Sequence, residues 1–191
     1  MGEIEFYPEL CAKIQKYLQF YLPPETKIEF AYNKHLLNMV TEIDEKIGVK
    51  SELSNDYLPL LKLDILFGIK LPEKDTQFIL FEVKYANQLT LSDVSQLIGY
   101  LQVAKYINLG ILLLVVKNQN NNMLSNDFAE IVQMRNLPME WHLLLEENEK
   151  TNQYNFEIGI CNYVPNNGID WLDVKGLKGI ENFKALAERV S

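Results

Sequence analysis

Apolar side chains in the first fifty residues recur at the three- and four-residue spacing of amphipathic helices. The first stripe predicts a helix over 7–21, which ends at the two prolines that follow it. A second stripe is the strongest in the chain, and it predicts a helix that starts near Glu25 and ends at Gly48. The amino-terminal quarter is therefore expected to consist of two helices.

The middle of the chain changes to strand patterns. Apolar and polar residues alternate over 60–69, and a second strand is predicted over 77–85 after a short polar turn, so the two segments predict an antiparallel hairpin. A helical stripe over 90–106 then leads to a continuous aliphatic segment over 110–116, which is typical of a strand buried on both faces. This order makes the last connection a right-handed crossover.

The pattern is weaker after residue 117. It predicts, in chain order, a polar loop over 119–122, a short helix over 127–134, strands over 140–145 and 154–163, and a helical tail over 179–190. We expect a single α/β domain over 1–191, with a core at about 25–117 and additional strands and a carboxyl-terminal helix over 118–191.

Composition narrows the class of protein. With 191 residues, 48% hydrophobic and 23% charged, the chain suits one soluble domain, and its longest apolar run is too short to span a bilayer. The start of the chain is acidic where a signal peptide is basic, so we expect a cytoplasmic protein. The two cysteines have no Cys or His at a metal-ligand spacing, which argues against a disulfide framework, a zinc site and an iron–sulfur site.

A net charge of −8 disfavours a protein that grips long nucleic acid over a wide basic face. The 18 lysines and arginines can still cluster locally, however, and a site that holds divalent cations brings its own positive charge to a phosphate. The charge therefore does not exclude nucleic acid as a partner.

Three chemically active side chains are expected to converge in the predicted hairpin. Glu82 and Lys84 are two residues apart on one strand and share a face, and Asp64 lies in the middle of the other strand. Its neighbours Leu63 and Ile65 are expected to face the opposite way. Taken alone, a Glu-x-Lys pair on a strand is usually an ion pair on a solvated face. Carboxylates that meet a lysine on two adjacent strands are, in contrast, the groups that metal-assisted phosphodiester cleavage needs.

These residues carry a resemblance to a known family. The runs Leu-Lys-Leu-Asp64-Ile and Phe-Glu82-Val-Lys84 resemble the two-strand core of the PD-(D/E)XK nucleases, and Gln96-Leu-Ile-Gly-Tyr100 is similar to the Gln-x-x-x-Tyr motif of their RecB-like branch. Without this context, Gln96 and Tyr100 would be an ordinary surface pair one helical turn apart.

The resemblance covers about 28–116 and departs from the family at two points. Leu63 stands in place of the proline that gives the family its name, although many members lack that proline. With only two cysteines, the chain also cannot form the four-cysteine iron–sulfur cluster of some relatives. The remaining part of the chain is not explained by it.

The resemblance implies a restriction-endonuclease-like core, in which helices flank a central mixed β-sheet. It implies Mg²⁺ or Mn²⁺ held by Asp64, Glu82 and the main-chain carbonyl of Val83, with Lys84 as the catalytic lysine. The Gln-x-x-x-Tyr pair would bind substrate phosphate or hold that lysine in place.

A further acidic ligand is expected from a helix before the first core strand, as in many members of the family. Glu29 is the first choice, because its spacing to Tyr32 and Leu36 resembles that family helix. Glu42 lies at a similar angle from the apolar stripe, and His35 lies within the stripe, where a core histidine is the more common case. Periodicity alone does not choose among them.

The expected function is hydrolysis of phosphodiester bonds in DNA, or in RNA, by a metal-dependent nuclease that can act as a homodimer. The alternative is an inactive binding module of the same fold that acts with a protein partner in a defence or mobile-element system. A nuclease for a small substrate, such as a cyclic oligonucleotide, would reconcile catalysis with the acidic charge.

Overall fold

The protein is an α/β structure in which helices cover both faces of a six-stranded mixed sheet. A computed structural model describes residues 2–104, 106–117, 123–133, 156–165, 167–172 and 179–191.

These ranges contain six strands, five α-helices and two short 3-10 helices. The strands are β1 (Lys27–His35), β2 (Lys62–Lys70), β3 (Gln77–Ala86), β4 (Leu109–Val116), β5 (Glu157–Val164) and β6 (Gly168–Trp171). The α-helices are α1 (Tyr7–Tyr21), α2 (Leu36–Ile47), α3 (Leu91–Val103), α4 (Asn126–Gln133) and α5 (Phe183–Val190), and short 3-10 helices span Glu3–Phe6 and Glu52–Asn55.

The strands lie in the sheet in the order of the chain. The first three pair antiparallel, β3, β4 and β5 pair parallel, and β6 pairs antiparallel with β5. The predicted hairpin is thus β2 and β3, and α3 makes the predicted crossover to a parallel strand. The strand predicted over 110–116 is β4, which is buried along nearly its whole length.

Two apolar layers hold the helices to the sheet. Both layers run from β1 to β5; one packs these strands on α2, α3 and α4, and the other packs them on α1 and α5. The contact between α3 and β4 is especially close at Gly110, where an added Cβ would lie 2.6 Å from the side chain of Leu101. Gly110 therefore lets α3 pack directly on β4, the strand that pairs with β3.

The helix predicted from Glu25 to Gly48 is wrong in its first half. Residues 27–35 form β1, and the helix begins at Leu36. The segment also alternates, with Ile28, Phe30 and Tyr32 contacting the α1 layer, so its sequence fits either period. Backbone hydrogen bonds to β2 stabilise the segment as a strand. The predicted end of the helix is confirmed, since Gly48 has the left-handed φ of 80° that favours glycine.

The carboxyl-terminal predictions are confirmed in part. The helix predicted over 127–134 is α4 and the strand over 154–163 is β5. The helix predicted over 179–190 begins only at Phe183, because Ile180 bridges to β5 and Asn182 caps the helix. The loop predicted over 119–122 and the strand over 140–145 lie outside the described residues.

Both cysteines are buried in the α1 layer and carry free thiols. Across the described ranges, no helix combines the length and the apolarity that crossing a bilayer requires.

Candidate active site

The backbone pairing of β2 with β3 ends at Ile65 and Phe81, and the site begins there. Asp64 comes one residue before Ile65 in β2, and its carboxylate accepts a hydrogen bond of 2.9 Å from the backbone N–H of Val83. The side chain thus takes the place that a backbone carbonyl would occupy in a continued ladder.

The alternation of β2 is interrupted at the same point. Leu63 packs in the α2 layer and Ile65 packs in the α1 layer. The prediction that Leu63 and Ile65 share one face of β2, opposite to Asp64, is therefore wrong. Across the sheet, Asn33 of β1 has a left-handed φ of 52°, which departs from regular strand geometry. Asp64 therefore lies at the open end of the hairpin.

Glu82 and Lys84 lie beside Asp64 on β3. Glu82 is only 2% exposed, and it accepts a hydrogen bond of 2.7 Å from the Lys84 ammonium. The carboxyl groups of Glu82 and Asp64 are close enough to interact directly. The structure thus brings together the three residues on which the predicted centre depends.

A chain of hydrogen bonds links Lys84 to α3. Its ammonium donates to Oε1 of Gln96 at 2.9 Å, and Nε2 of Gln96 donates to the hydroxyl of Tyr100 at 2.8 Å. The helix start is fixed by a capping box, in which the Asp93 carboxylate accepts from the backbone N–H and the hydroxyl of Thr90. The helix and the strand therefore position the lysine together.

The electrostatics of the site bring the pKa of Glu82 close to neutrality and keep Lys84 charged. Burial, followed by the charge of Asp64, raises the pKa of Glu82 to about 7. Burial lowers the pKa of Lys84, but its hydrogen bond to Glu82 and the nearby acidic charges outweigh burial and raise it above its ordinary value. At neutral pH the lysine is therefore a cation and not a free base.

The amino-terminal segment brings two residues to the site that no sequence pattern indicated. Burial and the charge of Asp64 raise the pKa of Glu3, while the backbone amide of Tyr85 and the charge of Lys84 act in the opposite direction. Tyr7, at the start of α1, is 1% exposed, and burial followed by the charge of Asp64 raises the pKa of its hydroxyl. Packing of α1 across the sheet, and not a local motif, delivers both.

Among the described residues, no hydrogen bond or ion pair joins Asp64 to any of the three candidates for a further ligand. Glu29 is on β1 and not on a helix, so the reason for choosing it is gone, and it pairs with Gly68, about 13 Å along β2 from Asp64. Glu42 forms ion pairs with two neighbouring lysines, at 2.5 and 2.8 Å. His35 is exposed at the N-cap of α2, so the expectation of a core histidine is wrong.

The donor set suits a hard divalent cation. Asp64 and Glu82 supply carboxylates in contact with each other, and the Val83 carbonyl points to the same side of β3 as its N–H, toward Asp64. Mg²⁺ is commonly held by one or two carboxylates plus water and substrate phosphate. No cluster of three or more Asp, Glu, His or Cys side chains fit for a metal occurs among the described residues, where the site would draw on the carboxylates of Asp64 and Glu82.

Comparison of the chain with protein-family models, with curated proteins and with solved structures found no match.

Proposed function

We propose that the chain is a metal-dependent nuclease that hydrolyses phosphodiester bonds through Asp64, Glu82 and Lys84. The observation that carries the proposal is the contact between two carboxylates beside a charged lysine, at the point where a hairpin opens. The order β2, β3, α3, β4 supports a restriction-endonuclease-like core of the PD-(D/E)XK type.

The roles of the residues follow from their contacts. Asp64, Glu82 and the Val83 carbonyl would hold Mg²⁺ or Mn²⁺, which when bound polarises the phosphate and activates water. Because Lys84 is protonated, its role is to stabilise negative charge on the phosphate and not to remove a proton from water. Gln96 holds the lysine through one hydrogen bond and is itself held by Tyr100.

DNA is the first substrate to test, followed by RNA. A net charge of −8 gives little general attraction for a long duplex, so most of the affinity has to come from the site and its cation. A homodimer would present two such sites to one nucleic acid.

The proposal is tested by incubating the protein with single- and double-stranded DNA and RNA, with Mn²⁺ and with a chelator. Cleavage should require Mn²⁺, and Lys84→Met should remove it, because methionine keeps the apolar stem without the ammonium. Lys62→Met is the matched control, since Lys62 is an exposed lysine on the adjacent strand. Absence of cleavage in every arm, or an equal loss in both variants, would contradict the proposal.

An inactive binding module that acts with a protein partner is the second candidate. It is favoured by the acidic charge and by the hydrogen bonds that the Lys84 ammonium already donates to Glu82 and Gln96. Calorimetric titration with Mn²⁺ distinguishes the two, because the nuclease should bind the ion and Glu82→Ala should weaken the binding. A folded parent protein that shows no Mn²⁺ binding would favour the module.

A further inference from the structure

The hydroxyl of Tyr7 is a buried polar group without an evident structural use. Tyr7 is 1% exposed, and within the described part of the chain its hydroxyl has no hydrogen-bond partner. A buried donor without a partner is unfavourable, and a phenylalanine would fill the same space without that cost. Packing therefore accounts for the ring but not for the hydroxyl.

The ring of Tyr7 lies directly over the start of the site. It packs edge-on against Tyr32 at a centroid distance of 6.0 Å, and Tyr32 is the β1 partner of Ile65, the residue next to Asp64. Tyr7 also belongs to the apolar layer that contains Phe81 and Val83, which flank Glu82 on β3. The neighbouring Phe6 packs on Tyr85 at 5.3 Å, which fixes this end of α1 against β3.

After burial, the acidic charges of Asp64, Glu3 and Glu82 raise the pKa of the hydroxyl, Asp64 most strongly among them. The hydroxyl lies beside the Asp64 carboxylate, at the margin of hydrogen-bond geometry. A rotatable O–H donor next to carboxylates has one evident use, which is to bond a carboxylate oxygen or an oxygen atom held between them.

Two contacts reach the Asp64 carboxylate from β3: its Oδ2 accepts from the Val83 N–H, and the Glu82 carboxyl lies against it. Both come from the same strand. A second donor on another element would fix the plane of the carboxylate. Orientation of this kind typically changes the metal affinity of a site by 10- to 100-fold.

We propose that Tyr7 is a positioning residue of the site, whose hydroxyl orients the Asp64 carboxylate toward a divalent cation. The inference rests on the proposed metal-dependent function. It assigns to α1 a part in the chemistry of a hairpin that begins 41 residues after the helix ends.

The test compares Tyr7→Phe with Tyr163→Phe in the full-length chain. Both tyrosines are buried, but the Tyr163 hydroxyl donates a hydrogen bond of 2.5 Å to Glu9 on α1. Each variant is measured by thermal unfolding without metal and by calorimetric titration with Mn²⁺, so neither readout depends on activity.

The two variants should show opposite patterns. Tyr7→Phe should keep or raise the melting temperature of the metal-free protein and weaken Mn²⁺ binding by roughly tenfold or more. Tyr163→Phe should lower the melting temperature and leave Mn²⁺ binding unchanged, because it loses a hydrogen bond away from the site.

Three outcomes would overturn the inference. Equal Mn²⁺ affinity of parent and Tyr7→Phe would show that the hydroxyl does not act on Asp64, while leaving the proposed function intact. A lower melting temperature or failure to fold for Tyr7→Phe would show that the hydroxyl has a structural role. Absence of Mn²⁺ binding in the folded parent would remove the proposed function as well.

Discussion

Asp44 and Glu82 are both buried acids, 8% and 2% exposed, but their surroundings differ. The Asp44 carboxylate receives the Ser51 N–H at 2.9 Å, the Ser51 hydroxyl at 3.0 Å and the Ser54 hydroxyl, and so ties the loop after α2 to the helix. The Glu82 carboxylate accepts a hydrogen bond from one lysine, Lys84, and it lies against a second acid, Asp64.

The surroundings of Asp44 stabilise its charge in the folded protein, whereas those of Glu82 destabilise its charge. Three neutral donors around one carboxylate stabilise a single negative charge. Two adjoining carboxylates with one lysine leave negative charge in excess, which burial makes unfavourable. Such an arrangement becomes favourable when a cation joins it, so the comparison points to the hairpin as the functional region and to the Asp44 loop as a structural one.

The largest effect expected from this contrast is on cleavage. Asp64→Asn keeps an oxygen that can accept the Val83 N–H but removes the charge, and it should lower the rate of Mn²⁺-dependent cleavage on the order of 10³-fold with no loss of stability. Asp44→Asn should leave the rate unchanged and lower the free energy of unfolding by about 1–3 kcal/mol. Single-turnover kinetics and urea unfolding on both variants check this. Similar rates for the two variants would contradict the contrast.

Glu82→Gln should stabilise the metal-free protein at alkaline pH. The folded pKa of Glu82 is raised from 4.5 to about 7, so its proton stabilises the folded state below pH 4.5, and this contribution is lost as the pH rises through 7. The variant avoids that loss, which amounts to about 3 kcal/mol at pH 8.

Urea unfolding of parent and Glu82→Gln at pH 5 and pH 8 measures the effect. The advantage of the variant should be clearly larger at pH 8. Asp44→Asn should show no such gain. An equal difference between parent and Glu82→Gln at both values would mean that Glu82 does not carry the titration.

Mn²⁺ affinity should rise with pH, because the ion competes with the proton on Glu82. Between pH 6 and pH 8 the fraction of ionised Glu82 grows by about tenfold, and the apparent affinity should follow it. Calorimetry in two buffers of different ionisation enthalpy measures the protons released. Asp44→Asn should reproduce the parent profile, and a flat profile in the parent would contradict the assignment.

The smallest effect is expected at the outer end of the hydrogen-bond chain. Tyr100→Phe removes the acceptor of the Gln96 amide and should lower the cleavage rate by about fivefold, the worth of one hydrogen bond of about 1 kcal/mol. Ser95→Ala is the control, since Ser95 is exposed on the same helix and bonds only to the backbone of Leu91. Equal rates for the two variants would place Tyr100 outside the site.

Local pattern determined much of this protein. The stripe over 7–21 predicted α1, and the alternation and the aliphatic run predicted β2, β3 and β4, because burial of one face leaves a period and burial of both faces leaves a continuous apolar run. Glu82 and Lys84 share a face through the two-residue period of a strand, and Gln96 and Tyr100 share one through a helical turn. These relations need no knowledge of distant residues.

Tertiary structure decided what local pattern left open. Residues 27–35 fit a helix and a strand equally, and hydrogen bonds to β2, a segment far along the chain, made them β1. Glu3 and Tyr7 reach Asp64 because α1 packs on the face of the sheet that α3 does not cover. The apolar stripe predicts that α1 is a helix, but it does not say on which face the helix packs. Periodicity fixes which side chains share a face of an element, whereas only long-range packing fixes which elements meet.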